Sequence, residues 1–431
     1  MKKVAFYTLG CKVNQYETQA ISELFKKAGY AVCDFEEKCD VYVINTCSVT
    51  GLSDRKSRQM IRRANRKNPG AVIAVTGCYA QTAAGDVLAV EGVNVVIGTK
   101  DRKNIVKMCE EGAEKKVSYV SDILKNHSFE EDLTITDFEE RTRAYVKVQE
   151  GCSQFCSYCI IPYARGPVRS RKKENVISEI KTLVKKGFSE IVLVGIHIAS
   201  YGKDLEDTSL ADIISEINKI DGLLRIRLSS IEPMTLNEEF VKAVSGADKL
   251  CPHFHISLQS GCDETLKRMN RKYTTDEYFG IVTLLRDKFK DCAITTDIMV
   301  GFPGETDEEF KESLEFAKKV NFSDAHIFSY SPRPNTPAAK MENQVSPEVK
   351  QKRSEKMFLV VNEARKTYLD SYTGKTMEVL FEREVKKGVF EGKTKNYITV
   401  FAKSDEDITG KILNVYIEKN DSEACFGRLV L

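Results

Sequence analysis

Short β-branched apolar runs alternate with helix-like stretches through most of the chain, and this alternation constrains the fold more than any other feature. In the first hundred residues the runs fall at 4–9, 41–45, 71–76 and 94–98, with helical patterns near 18–28, 53–67 and 85–90. Strands that are apolar on both faces need cover on both faces, which predicts a parallel sheet between helices. A second series starts at Ala144, with strands expected at 145–149, 191–195, 225–229, 253–258, 294–300 and 325–330. Helical patterns at 175–186, 210–220, 277–289 and 308–320 separate them. Six βα units suit a partial (βα)6 barrel. Periodicity does not show closure, so an open sheet fits the same pattern. A helix is expected over 347–369, followed by five short glycine-punctuated strands between 376 and 430, the pattern of a small β-barrel. The fold class is therefore α/β, divided as 1–109, a connector at 110–143, 144–370 and 371–431. The connector carries ten acidic and five basic side chains and reads as a solvated or irregular link.

The chain has 431 residues, 65 basic and 63 acidic, for a net charge of +2. No apolar run approaches the roughly 20 residues of a membrane span. Met1-Lys2-Lys3 leads into no apolar signal core. The expectation is a cytoplasmic protein without a membrane partner. Thirteen cysteines in that setting favour reduced thiols, some of them ligands, over a disulfide scaffold.

The densest chemical signal is Cys152-Ser-Gln-Phe-Cys156-Ser-Tyr-Cys159, spaced CxxxCxxC directly after an expected strand. Thiolates are soft ligands for zinc or iron–sulfur clusters. Structural zinc normally takes four protein ligands, and no fourth lies nearby in sequence. Three cysteines on a four-iron cluster would leave one iron open to a small molecule. A zinc site completed by a distant residue is the alternative. Cys11, Cys47 and Cys78 form a less obvious set. Each sits at the carboxyl end of an expected strand, and such ends share one rim in a parallel sheet, the usual ligand site. Ordinary buried cysteines are the competing reading.

The CxxxCxxC motif resembles the radical S-adenosylmethionine superfamily. The two triads together resemble the methylthiotransferases within it. Supporting strings include Thr8-Leu-Gly-Cys-Lys-Val-Asn-Gln-Tyr-Glu-Thr18, Asn45-Thr-Cys47, Ser229-Ser-Ile-Glu-Pro233, His255-Ile-Ser-Leu-Gln-Ser-Gly261 and Gly301-Phe-Pro-Gly-Glu-Thr306. The resemblance covers essentially the whole chain. It implies an amino-terminal cluster domain, a radical barrel and a carboxyl-terminal TRAM domain that binds RNA. It also implies two 4Fe-4S clusters: Cys152, Cys156 and Cys159 hold the radical cluster, and Cys11, Cys47 and Cys78 the auxiliary one. S-adenosylmethionine then serves as both radical source and methyl donor. No side-chain catalyst is implied, because the cofactor carries the hard chemistry. The other seven cysteines match no family ligand.

The resemblance places Tyr158 near the adenine, with Gly301 and Gly304 contributing backbone to hold it. Glu232, Ser257 and Gln259 follow barrel strands, where ligand contacts gather, and are candidates for the ribose or methionine moiety. Thr306 and Glu309 also have capping-box spacing, so the glycine segment starts a helix on either reading. Two basic runs lie behind ligand cysteines: Arg55, Arg58, Arg62, Arg63, Arg66 and Lys67, then Arg165, Arg169 and Arg171. Both are expected to meet phosphate. The start of the chain is most similar to enzymes acting on N6-threonylcarbamoyladenosine at position 37 of tRNA, beside the anticodon. Lys12 and Val13 match neither the isopentenyladenosine branch nor the ribosomal-protein aspartate branch. The alternatives are that aspartate β-methylthiotransferase, or a non-catalytic iron–sulfur or zinc RNA-binding protein. An electron donor is required but unidentified.

Overall fold

The computed structural model describes residues 1–136 and 142–430. Strands β1 (Lys3–Thr8), β2 (Ala31–Cys33), β3 (Val41–Thr46), β4 (Val72–Gly77), β5 (Val93–Ile97) and β6 (Val117–Tyr119) form one parallel sheet, ordered β2-β1-β3-β4-β5-β6. Every residue of β3 is buried, as its unbroken apolar run requires. Tyr16, Ile21 and Phe25 of the Lys12–Lys27 helix cover one face. Met60, Ile61 and Ala64 of the Gly51–Lys67 helix cover the other. The four strongest runs became strands. β2 and β6 were not anticipated, because three-residue edge strands leave almost no period to read.

The second series forms β7 (Arg143–Glu150), β8 (Arg169–Ser170), β9 (Glu190–Gly195), β10 (Arg225–Leu228), β11 (His253–His255), β12 (Ala293–Val300) and β13 (Asp324–Ser329). The parallel order runs β7-β9-β10, then β11-β12-β13. Single parallel bridges, Ile226 to Leu250 and Ile231 to Ile256, join the two groups. Six parallel strands therefore curve into a partial barrel. β8 pairs antiparallel with the end of β7. No pairing joins β7 to β13 among the described residues.

The amino-terminal sheet and the barrel share one continuous apolar core, from Tyr16 and Phe25 to Val146 and Ile191. The long Pro347–Asp370 helix lies beside β13, with Arg365 reaching Asp324 at 3.5 Å. It leads into a closed barrel of β14 (Thr376–Lys386), β15 (Val389–Thr394), β16 (Thr399–Lys403), β18 (Cys425–Leu429) and β17 (Ile412–Asn420). Closure removes the open edges that five short strands would otherwise present. This small barrel docks on the starting ends of the large barrel's strands. Arg225 donates to the Lys393 carbonyl at 2.9 Å, and Arg227 to the Thr394 carbonyl at 3.2 Å.

The acidic connector is irregular, but it is not solvated throughout. β6 adds a strand to the first sheet, Leu133 and Ile135 are buried in the shared core, and Glu130 and Glu131 pair with Arg102 and Arg171. Its acids answer buried arginines, which net charge along the sequence does not reveal.

Candidate active site

The amino-terminal triad gathers at the carboxyl ends of β1, β3 and β4. Cys11 caps the Lys12–Lys27 helix, Cys47 follows β3, and Cys78 opens the short helix after β4. Asn14 and Asn45 lock this rim: the Asn14 amide donates to Asn45 Oδ1 at 3.0 Å and to the Thr46 carbonyl at 3.1 Å. The Cys11 thiol donates to Asn14 Oδ1 at 3.2 Å. Gly77, with φ of +97°, is needed because a Cβ there would strike the Thr46 carbonyl oxygen. The nearness of Cys11 and Cys47 adds to the rise of the Cys78 thiol.

Beneath this rim is a buried ion network that sequence reasoning missed. Arg165 donates to Cys78 Sγ at 3.2 Å, Glu150 at 2.7 Å and Glu17 at 3.1 Å. Arg102 pairs with Glu17, Glu130 and Glu150, and Lys147 with Glu17 and Glu150. Cationic neighbours hold the Glu17 carboxyl down to about 2 even though burial pushes it upward. These groups come from both the amino-terminal domain and the large barrel, so the network fastens the two together. Burial raises the Cys78 thiol to about 12, and Arg165 opposes that rise. Metal binding would release this proton. A guanidinium on the sulfur then favours the thiolate.

The second triad lies on the irregular loop after β7. Gly151 has φ of +76°, and a Cβ there would strike the Pro167 carbonyl oxygen. Burial raises the Cys152 thiol to about 11 and the Cys159 thiol to about 12. Arg271 donates to Cys156 Sγ at 3.4 Å, to Glu232 at 2.9 Å and to the Ser257 carbonyl at 3.2 Å. Glu232 also faces His197 at 3.7 Å. Glu232 and Ser257 thus stand beside this triad, engaged with Arg271. Nothing in the sequence pointed to Arg271.

Tyr158 and Gln259 line a cavity of about 230 Å³ together with Cys159, Asp297 and Met299. Gln259 has φ of +67°, fixed by backbone bonds to Asp297 and Met299. Gly301 and Gly304 do not line this cavity. Their turn is held by Glu305, which accepts from the Gly301 amide at 2.7 Å and from Arg353 at 2.7 Å. The capping box of Thr306 and Glu309 forms as expected. A larger cavity of about 790 Å³ adjoins the first, sharing Val49, Ile161, Asp297 and Phe328. It opens onto Cys11 and extends through the barrel to Tyr397 of the small barrel. Its size is within the range of small-molecule sites.

The two basic runs have opposite fates. Arg55, Arg62, Arg63, Arg66 and Lys67 are exposed along the Gly51–Lys67 helix, though Arg63 and Lys67 pair with Glu36. Arg58 is half-buried on the Tyr79 hydroxyl at 2.8 Å. Arg165, Arg169 and Arg171 are 0, 2 and 1% exposed and cannot meet phosphate. Arg169 donates to the Asn126 and Arg165 carbonyls, and Arg171 pairs with Glu179 at 2.6 Å. The expectation that they contact RNA is corrected: they are interior braces.

A family model for the radical SAM superfamily matches residues 146–317, an uncharacterised family, UPF0004, matches 3–98, and a TRAM domain matches 370–430. A threonylcarbamoyladenosine tRNA methylthiotransferase of Bacillus subtilis is 46% identical, aligned over 97% of this chain and 94% of its own. The chain belongs to the tRNA methylthiotransferase family. It is a radical S-adenosylmethionine enzyme whose family uses 4Fe-4S clusters. The corresponding enzyme of Aquifex aeolicus is 38% identical over 96% of this chain and all of its own. A tRNA-2-methylthio-N6-dimethylallyladenosine synthase of Clostridium botulinum is also 38% identical, over 97% of this chain and 95% of its own. The solved radical methyltransferase TsrM of Kitasatospora setae shares the fold, with TM-score 0.58 and 15% identity over 78% of this chain and 77% of its own.

The donor sets suit iron–sulfur clusters. Each triad offers three soft thiols, and each has one arginine on one sulfur. Among the described residues no three His, Cys, Asp or Glu groups converge closely enough for a single metal ion. No described helix is long and apolar enough to cross a membrane.

Proposed function

We propose that this methylthiotransferase converts N6-threonylcarbamoyladenosine at position 37 of tRNA to its 2-methylthio derivative. The observation carrying this reading is the pair of adjoining cavities: one borders Cys159, the other opens onto Cys11, so a base between them is within reach of both triads. The 46% identical relative of that printed name supports the choice of substituent.

In this reading Cys152, Cys156 and Cys159 hold one cluster, and Cys11, Cys47 and Cys78 the other. When bound, the clusters and S-adenosylmethionine supply hydrogen abstraction, sulfur and the methyl group. Tyr158 and Gln259 flank the pocket for S-adenosylmethionine. Arg271 and Arg165 each keep one ligand sulfur in an electropositive setting. The apolar walls of Val194, Leu228 and Phe328 exclude water. The exposed arginines of the Gly51–Lys67 helix, which starts at the amino-terminal rim and runs away from it, meet tRNA phosphate. Anaerobic reconstitution with S-adenosylmethionine, a reductant and tRNA tests this. Nucleoside mass spectrometry should find the methylthiolated threonylcarbamoyl product. Product only from isopentenyl-bearing tRNA, or no 5′-deoxyadenosine, would overturn it.

A further inference from the structure

Lys12 is the one lysine or arginine in the larger cavity's lining among the described residues, beside His253, His255 and His326. It follows Cys11 directly and enters the cavity at the amino-terminal rim. No described residue hydrogen-bonds or ion-pairs with its ammonium. The cavity's own carboxylates are engaged elsewhere: Asp297 faces His255 at 3.2 Å, and Asp324 faces Arg365 at 3.5 Å. Deeper groups do not neutralise Lys12 either. Its electrostatic neighbours are the Tyr397 phenol and Glu190, which favour its charge, and Arg143 and Arg227, which oppose it. Glu190 is taken by Arg227 at 2.7 Å and Arg225 at 3.6 Å. Glu382 answers Arg143 at 3.1 Å. His253, 6% exposed, stacks on Tyr397 at 4.5 Å and leaves Nδ1 without a protein partner. This end of the cavity therefore has positive charge to spare inside largely apolar walls.

We propose that Lys12 is a specificity residue that binds the carboxylate of the substrate's N6 substituent. The inference rests on the threonylcarbamoyl reading above and deepens it. A threonylcarbamoyl group ends in a free carboxylate, whereas a dimethylallyl group is pure hydrocarbon. An enclosed ammonium gains a charge-assisted hydrogen bond from the first. Against the second it is left buried and unpaired, which costs free energy. One side chain thus attracts the acidic substrate and repels the neutral one, both halves of specificity.

The test uses full-length, cluster-reconstituted protein and anticodon stem-loop RNAs. One RNA carries N6-threonylcarbamoyladenosine and the other its threoninamide analogue, in which the carboxylate is a neutral amide. Equilibrium anisotropy gives the acid-to-amide affinity ratio, which is insensitive to the fraction of folded protein. Wild type should favour the acid by about 10- to 100-fold. Lys12→Met should bind both RNAs alike, and Lys12→Arg should keep most of the preference. A Lys12→Met ratio equal to wild type, or no acid preference in wild type, overturns the proposal. Methylthiolation of the acid RNA by wild type is scored separately: its absence sinks the threonylcarbamoyl reading itself, whatever the ratios show.

Discussion

The two cysteine triads use one device on different foundations. In each, a buried arginine bonds one cysteine sulfur and a carboxylate: Arg165 with Cys78 and Glu17, Arg271 with Cys156 and Glu232. The CxxxCxxC triad lies on a single loop within eight residues, so local sequence delivers its three thiols. The other triad comes from three strand ends, and its arginine arrives from the neighbouring domain. The first is a loop property. The second keeps its arginine only while the amino-terminal domain and the barrel stay joined. A site that opens at a seam depends on the seam's own chemistry.

Cysteine variants should separate the triads most strongly. Cys152→Ala should abolish 5′-deoxyadenosine formation, a loss of at least about 100-fold if open-site cofactor binding needs all three thiols. Cys47→Ala should leave that cleavage intact while eliminating the methylthio product. Wild-type product from Cys47→Ala would erase the division of labour. The arginines should differ next. Arg165→Met leaves Glu17 and Glu150 short of a cation in a fully buried network, at about 3–5 kcal/mol. Arg271→Met should cost about 1–3 kcal/mol, since Glu232 keeps His197 nearby. Urea midpoints of the two variants measure this, and equal losses would contradict a special role for the seam.

Acid provides a gentler probe. The folded Glu17 carboxyl is held at about 2, below its usual 4.5, so its stabilising contribution is full above about pH 5. That contribution drains as pH falls from 4.5 toward 2. The seam should therefore weaken between pH 5 and 3, read as a falling urea midpoint, and Glu17→Gln should show a shallower fall. Identical slopes would remove Glu17 from the account. The smallest effect belongs to the surface. Arg62→Glu with Arg66→Glu should weaken tRNA binding several-fold and flatten its salt dependence by about one unit of slope per lost phosphate contact. Unchanged salt dependence would leave that helix face without an RNA role.

The alternating pattern specified four strands of the first sheet and all six parallel strands of the barrel, because apolar segments recurring between helical ones bury together. Three-residue β2 and β6 carried too little pattern to read. Arg165, Arg169 and Arg171 read as a phosphate-binding run because sequence counts charge without showing its neighbours. Glu17 lies 148 residues from Arg165, and Glu131 and Glu179 lie 40 and 8 residues from Arg171. The Gly51–Lys67 run kept its exposure because Met60, Ile61 and Ala64 claim the buried face of that helix.

The sequence by itself determined the chemistry. Thiol identity and CxxxCxxC spacing name a soft-metal loop, and apolar periodicity names the sheets that carry it. Tertiary structure alone decided which charges are spent and which remain. It buried the second basic run in a network at the seam, and it left Lys12 without an ion-paired carboxylate among the described residues in a cavity of about 790 Å³. The reason is physical: a charge's effect depends on desolvation and on partners within a few ångströms, and both are set by how distant segments pack.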